Sequence, residues 1–260
     1  MLIKDLDSIK EFLEEKHNLY NNRSFIENDP ISIPHRFSKK EDIEISGFLA
    51  ATISWGNRKS ILNNAGKLME LMGEEPFQFV LHHTKRDLEK LDSFVHRTFN
   101  GRDCTFFIRS LKHIYTKHKD LEEAFGSLHS NENFPLKDNL IKFRSLFLET
   151  SHLPRSEKHI SNPAQKSSAK RLCMYLRWMV RKDKRKVDFG IWNKIPASQL
   201  CLPLDVHTGN ISRKLGLLQR KQNDWQAVEE ITSVLRIMDP ADPIKYDFAL
   251  FGIGIDKALN

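Results

Sequence analysis

Apolar residues recur at helical spacing through most of the chain, whereas the alternating pattern of half-buried strands is nearly absent. Three stretches in the N-terminal part show apolar positions at i, i+3 and i+4: Leu6, Ile9, Phe12 and Leu13; Ile45, Phe48, Leu49 and Ile53; and Ile61, Ala65, Leu68, Met69 and Met72. Further helices are predicted at about 103–118, 136–149, 168–182, 206–217, 224–238 and 243–254. Asp224 is a plausible N-cap, and Asp239-Pro240 a natural stop. The pattern therefore predicts an all-α fold.

Three segments interrupt the helical pattern. Residues 28–35 carry two prolines and cannot be helical throughout, so we expect an ordered connector between the first two helices. Residues 150–167 collect proline, serine and asparagine, and residues 183–203 are charged and then broken by prolines. No internal repeat and no low-complexity tract is visible.

Composition excludes several classes of protein. A chain of 260 residues is long enough to bury a core without disulfides or a structural metal. Its three cysteines are isolated in sequence, which argues against a disulfide framework, a zinc site and an iron–sulfur cluster. The pair His82-His83 has no ligand partner at helical spacing, so we expect no metal and no cofactor. Without a long apolar run or a secretory signal, we expect a soluble, monomeric, cytoplasmic protein without membrane contact.

The positive charge is concentrated in one part of the chain. The net charge is +7, but residues 151–221 hold 16 Lys and Arg against four acids. That segment alone carries +12, and the remainder carries −5. A confined basic excess is typical of a surface that follows phosphates, although a solvated basic loop such as 181–186 gives the same pattern.

The same segment holds the residues with the most suggestive chemistry. A polar turn, Ser161-Asn-Pro-Ala-Gln, leads into an amphipathic helix that starts near Lys170. A helix N-terminus and partial desolvation both disfavour the lysine's charged form and favour a nucleophilic amine. Further along, Asp205 follows Leu202-Pro-Leu and precedes Val-His207 and a helix. An acid among apolar residues is not expected to be fully solvated, and Asp205 is also a candidate N-cap.

These two motifs, with Ile211-Ser-Arg-Lys-Leu-Gly-Leu behind the second, resemble the helix-hairpin-helix DNA glycosylase superfamily. The early stretch from Glu44 to Asn57 and the late stretch from Lys245 to Gly252 are similar to helices of that superfamily as well. The likeness covers roughly residues 41–75 and 160–255. It is nearest to an uncharacterised bacterial family, DUF2400, akin to archaeal 8-oxoguanine DNA glycosylase.

The resemblance implies a fold of two helical lobes with a cleft between them, forming a single glycosylase-like unit. The lobes would span about 41–150 and about 151–255, and residues 1–40 would pack alongside. It also implies a DNA-repair enzyme that flips a damaged base out of double-stranded DNA, with Lys170 as nucleophile and Asp205 as its partner. The resemblance therefore also implies that the protein is associated with the nucleoid. Lys166, four residues before Lys170, is the alternative nucleophile.

Two further sets of residues are predicted for this site. The base-pocket candidates are Trp55, Asn57, Asp247 and Phe251, weighed against core packing for the aromatic residues and against an i, i+4 contact or a helix cap for Asp247. The candidate phosphate contacts are Arg58, Lys166, Arg171, His207, Arg213 and Lys214, each weighed against an ordinary solvated surface position. Trp178 is expected in the core.

The sequence also departs from the superfamily. The glycine-rich hairpin turn is missing, replaced by His152-Leu-Pro-Arg through Ser161-Asn-Pro-Ala-Gln, so phosphate binding there is expected to be weak or remodelled. The cluster-binding cysteines of the endonuclease III branch are absent. Three functions therefore stay open: a glycosylase with lyase activity on an oxidised purine, a non-catalytic nucleic-acid-binding protein, and a helical protein-interaction scaffold. The segment with Asp29-Pro30 and Pro34-His35-Arg36 has no predicted chemical role.

Overall fold

The protein is mostly helical, as predicted. The computed structural model describes residues 6–126 and 135–256. Its α-helices are α1 (Leu6–Tyr20), α2 (Ser24–Glu27), α3 (Lys40–Thr52), α4 (Arg58–Leu71), α5 (Pro76–His82), α6 (Lys85–Glu89), α7 (Gly101–Lys117), α8 (Leu121–Phe125), α9 (Leu136–Phe147), α10 (Lys170–Val180), α11 (Val206–Lys214), α12 (Trp225–Met238) and α13 (Asp247–Asp256). One antiparallel hairpin accompanies them, β1 (Val95–His96) with β2 (Phe99–Asn100).

The chain divides into two compact units. Among the described residues, the first unit contains 6–25, 135–138 and 162–256, and the second contains 26–126 and 139–161. Residues 1–5 of the predicted N-terminal segment lie outside the described residues.

The first unit is built around α10 and α13. Tyr175 and Trp178 of α10 and Trp225 of α12 are fully buried, which confirms the core position expected for Trp178. Helix α13 packs against α1 and α11, with Phe248 buried along it. The N-terminal ends of α10, α11 and α13 therefore lie in the same unit.

The second unit has a core of packed aromatic rings. Phe48 of α3 contacts Phe107 of α7 and Phe147 of α9, with ring centroids 6.1 and 5.5 Å apart. Phe125 stacks on Phe143 at a centroid distance of 3.7 Å. Every α3 residue from Asp42 to Thr52 is buried, so α3 is the central helix of this unit.

The connector at residues 28–35 is ordered, as predicted, and consists of two 3₁₀ turns, Pro30–Ser32 and Pro34–Arg36. The Asp29 carboxylate accepts the Ile31 amide at 3.1 Å, and both turns pack on α3. The segment therefore has a packing role, which sequence reasoning left unassigned.

Helix ends follow the predicted signals closely. Asp224 caps α12 by accepting the Ala227 amide at 3.1 Å, and the helix ends at Met238 before Asp239. The prediction of one helix over 243–254 needs correction, since a 3₁₀ turn at Pro243–Tyr246 precedes α13. Asp247, the first residue of α13, follows this turn.

Candidate functional site

The turn before α10 fixes where Lys170 begins the helix. Lys166 and Ala169 both adopt left-handed backbone with φ of 67° and 48°, which is uncommon for residues other than glycine. Neighbouring bonds hold this shape: the Trp225 amide donates to the Lys166 carbonyl at 3.2 Å, and the Ser168 hydroxyl to the Leu204 carbonyl at 3.3 Å. The turn is thus tied to the segment that carries Asp205.

Asp205 is the N-cap of α11, as expected. Its Oδ1 accepts the Thr208 amide at 2.9 Å, and the Thr208 hydroxyl accepts the Asp205 amide at 2.8 Å, a reciprocal capping box. Asn223 adds a bond from its side-chain amide to the Asp205 carbonyl at 2.9 Å. These contacts fix the carboxylate and leave Oδ2 for another partner.

That partner is Lys170. The distance from Lys170 Nζ to Asp205 Oδ2 is 3.2 Å, and the two side chains are 28% and 16% exposed. The pair therefore combines a fixed carboxylate with an amine that solvent, and hence a ligand, reaches. A lysine amine acts as a nucleophile only in its unprotonated form.

Asp247 is buried and interacts electrostatically with both members of this pair. It lies at the start of α13 and forms an ion pair with Arg177, in which Arg177 Nη1 donates a hydrogen bond to Asp247 Oδ2. Burial raises the pKa of Asp247 to about 6, the Arg177 guanidinium opposes that rise, and the Asp205 carboxylate adds to it. The predicted base contact thus has an internal partner and an electrostatic link to Asp205.

His207 and Phe251 meet where α11 packs on α13. Their ring centroids lie 6.3 Å apart in an edge-to-face arrangement, with His207 exposed and Phe251 half-buried. A Cβ added at Gly254 would approach the Cβ of His207 to 2.9 Å, so this crossing depends on glycine. Phe251 is thus a half-buried ring one turn beyond Asp247.

Trp55, Asn57 and Arg58 belong to the second unit. Trp55 is half-buried, and its ring lies 4.9 Å from that of His96 and 5.8 Å from that of His159 between centroids. Asn57 caps α4 by accepting the Ser60 amide at 3.2 Å, and Arg58 is the first residue of that helix. Asn57 thus has a structural role that the sequence analysis did not assign.

The candidate phosphate contacts differ in exposure. Lys166 and Lys214 are exposed, whereas Arg171 is half-buried and its burial lowers its pKa to about 10. Arg213 donates to the Arg220 carbonyl at 2.8 Å and to the Asn223 side chain at 2.6 Å. Its guanidinium therefore secures the loop after α11, which competes with a role in phosphate binding.

The backbone amides of the turn at 162–169 are largely occupied. The amides of residues 164, 165, 166, 167 and 169 donate to acceptors within the turn itself, among them the Asn162 side chain and carbonyl. Amides engaged in this way are not available to a phosphate.

Sequence reasoning missed two supporting residues, Arg177 and Asn223. Arg177 lies seven positions after Lys170 inside an apolar run, and seven residues are nearly two helical turns. A charged residue on the buried face of a helix was the available signal. Asn223 gave none, because its contact with Asp205 depends on the loop between α11 and α12.

No metal site is evident in the described ranges 6–126 and 135–256, where no group of three His, Cys, Asp or Glu side chains is arranged to hold an ion. The three cysteines are buried free thiols, and burial raises the pKa of Cys201 to about 12. No helix in the described part of the chain is long and apolar enough to span a membrane.

Fold and site together define a class: a mostly helical protein with a lysine–aspartate pair at the starts of two helices. Comparison with known families is consistent with a single assignment over most of the chain. Residues 29–256 match a family described as protein of unknown function (DUF2400), and the chain belongs to that family. The match includes the connector at Asp29 and all of the site residues above. Comparisons with curated proteins and with solved structures gave no match.

Proposed function

We propose that this protein is a DNA base-excision glycosylase with AP lyase activity, acting on an oxidised purine such as 8-oxoguanine in double-stranded DNA. The observation that carries the proposal is the 3.2 Å contact between Lys170 Nζ and Asp205 Oδ2 at the starts of α10 and α11. Lys170 and Asp205 are separated by 35 positions in sequence, so their contact is a tertiary feature that supports a joint role.

In the proposed reaction, Lys170 attacks C1′ of the damaged nucleotide. The new N–C1′ bond forms as the bond from C1′ to the base breaks, and its electron pair leaves with the base. The proton that the Lys170 ammonium gives up is taken by the departing base. Opening of the sugar ring gives a Schiff base, and loss of a C2′ proton with cleavage of the C3′–O bond cuts the strand.

Asp205 supplies the electrostatic part of this proposal. Positive charge develops on the sugar as the base departs, and a carboxylate held by the capping box needs no reorganisation to stabilise it. Phe251, in the same unit as Lys170 and Asp205, is the proposed aromatic surface for a base, and the exposed Lys166 is a proposed phosphate contact.

The test is borohydride trapping with two duplexes, one containing an abasic site and one containing 8-oxoguanine. We expect a covalent protein–DNA adduct whose modified peptide contains Lys170. Lys170→Gln should abolish it, and Asp205→Asn should slow its formation about 10²-fold or more while keeping the helix cap.

Lys67→Gln, an exposed lysine on α4, is the matched control and should trap like the wild type. No adduct from folded wild-type protein on either duplex would contradict the proposal. An adduct on Lys166 would transfer the nucleophile's role to that residue.

A non-catalytic nucleic-acid-binding function is the second candidate. The observation that favours it is the engagement of the 164–167 and 169 amides within their own turn, which removes one ordinary means of holding DNA for catalysis. This alternative predicts duplex binding that falls steeply with salt, no adduct, and equal affinity for damaged and undamaged duplexes.

A further inference from the structure

Arg177 is a buried arginine on the same helix as Lys170. Only 4% of the residue is exposed, and it lies seven positions along α10, about 10 Å from Lys170 along the helix axis. Seven residues bring a side chain back to nearly the same helix face. Arg177 and Lys170 therefore project from one face of α10, Lys170 at its start and Arg177 in the interior.

Two carboxylates hold the Arg177 guanidinium. Its Nη1 donates to Asp247 Oδ2 on α13, and its Nε donates to Asp188 Oδ1 at 3.2 Å. Its planar group also lies over the Phe248 ring, 4.3 Å from the centroid. A guanidinium held in this way has a fixed orientation. It therefore also fixes the orientation of the carboxylate to which it donates a hydrogen bond.

Asp247 interacts electrostatically with residues of the candidate site. The electrostatic interactions resolved for it are with Arg177 and Lys170 of α10 and with Asp205 before α11. Burial raises the pKa of the Cys173 thiol, and the Asp247 carboxylate adds to that rise. Helix α11 packs along α13, and His207 near the start of α11 lies against Phe251, which is one turn after Asp247.

We propose that Arg177 is a positioning residue: it holds Asp247 as a second carboxylate behind the Lys170–Asp205 pair. This inference rests on the proposed function, because its purpose is to give the positive charge that develops on the sugar beside Lys170 two negative neighbours instead of one. The Arg177 side chain acts only through Asp247. Without the guanidinium, a buried carboxyl group beside another carboxylate takes up a proton and its negative charge is lost.

The coupling is measurable without DNA. The Asp247 carboxyl is followed by ¹³C NMR across pH 3–9 in the full-length wild-type protein. We expect it to titrate near pH 6, well above an ordinary aspartate. In Asp205→Asn the midpoint should fall, because a like charge is removed, and in Lys170→Gln it should rise, because an opposite charge is removed. Both substitutions are at partly exposed positions.

Arg177→Met should raise the midpoint by about 1–3 pH units, and Arg177→Lys should rescue part of the shift. The matched control is Arg181→Met. Arg181 is an equally buried arginine that directly follows α10, bound to Asp188 Oδ2 at 3.2 Å and Asp242 Oδ2 at 2.9 Å. We expect it to move the Asp247 midpoint less than Arg177→Met does.

The catalytic consequence is tested by the pH dependence of borohydride trapping at an abasic site. The rate in Arg177→Met should reach its half-maximal value at a pH at least about one unit above that of the wild type. Adding Arg177→Met to Asp247→Asn should cause no further loss, because the arginine acts through the carboxylate.

Different results overturn the two proposals. An Asp247 midpoint unmoved by Asp205→Asn and Lys170→Gln would overturn the coupling, as would a further loss of trapping in the double variant. Wild-type protein that shows the NMR coupling but traps no DNA would overturn the glycosylase function and leave the coupling established.

Discussion

At the scale of single residues, burial and neighbouring charges change the protonation behaviour of groups in the first unit. His17 of α1 is buried, and its Nδ1 lies 2.8 Å from the Lys245 carbonyl oxygen. Burial, followed by the positive charge of Arg181, lowers the pKa of His17 to about 4 from an ordinary value of 6.5. The folded protein therefore holds His17 neutral at pH values where the unfolded chain protonates it.

His17 makes stability fall as the pH falls from 6.5 to about 4. The unfolded state binds more protons than the folded state in that window, so the free energy of unfolding rises with pH there. His17→Gln should show a smaller change in unfolding free energy across the same window, measured by urea denaturation.

Asp247 acts in the opposite direction, since its raised pKa gives stability that is lost as the pH rises through about 6. Because Asp247 is present in both proteins, its contribution cancels when the pH dependence of the unfolding free energy of His17→Gln is compared with that of the wild type. The exposed His82→Gln serves as control, and an identical pH slope in His17→Gln and wild type would contradict the assignment.

At the scale of elements, the contact of α1 with α13 depends on one small residue. A Cβ added at Gly252 would lie 2.3 Å from Cδ2 of the Tyr20 ring, closer than nonbonded carbons approach. The contacted atoms include Cγ and both Cδ atoms of the ring, which cannot move without shifting the side chain. Glycine thus permits the close approach of the two helices, although it lowers the intrinsic stability of α13.

Gly252→Ala should destabilise the protein by about 1–3 kcal/mol, because the added methyl overpacks the α1–α13 contact. Gly66→Ala is the matched control in α4, where the nearest atom to an added Cβ is Arg36 Nη1 at 3.7 Å. It should be neutral or stabilising by about 0.5–1 kcal/mol. Chemical denaturation measures both, and equal effects would contradict the packing argument.

At the scale of the whole molecule, the structure redistributes the positive charge that the sequence concentrates in residues 151–221. Arg177 and Arg181 are 4% and 1% exposed and bind carboxylates, so they contribute little to an external surface. Arg185 donates to the carbonyls of Asn18 and Asn21, each at 2.7 Å. The sequence analysis considered residues 181–186 as a solvated basic loop, but Arg181 and Arg185 of this segment form bonds within the protein.

Exposed lysines of this segment are the better candidates for binding phosphates. Lys166→Gln and Lys186→Gln should each weaken duplex binding and reduce the slope of log affinity against log salt by about 0.9 for each phosphate that is no longer neutralised. Fluorescence anisotropy at several salt concentrations measures this. Lys67→Gln, exposed but outside the basic segment, should leave the slope unchanged; a slope unaffected in all three variants would argue against a phosphate-binding surface.

Much of the helical framework could be predicted because its signals are local. The apolar spacing of Ile61 to Met72 and the capping side chain of Asp224 each act within a few residues. The short helices α5, α6 and α8 and the hairpin at 95–100 were not predicted, since so few residues show no recognisable period. The start of α13 was placed too early, because Pro243 suits a 3₁₀ turn as well as a helix start.

The candidate site was predictable only in part. Lys170 and Asp205 were paired through a family resemblance, and the 3.2 Å contact between them is a product of folding. The partner of Asp247 was not foreseen, because Arg177 lies 70 positions away in sequence. Asn57 and Arg213 were assigned to ligands, whereas the structure gives both of them bonds within the protein.

The sequence by itself determined the helical class, most helix ends, the isolation of the cysteines along the chain and the segment that carries the positive charge. Each of these depends on residue type or on spacing within one or two helical turns. The tertiary structure alone decided which charges face one another, which arginines are buried, and that Asp247 interacts electrostatically with Lys170 and Asp205. Those properties arise from distances and desolvation between remote segments, and both exist only once the helices have packed.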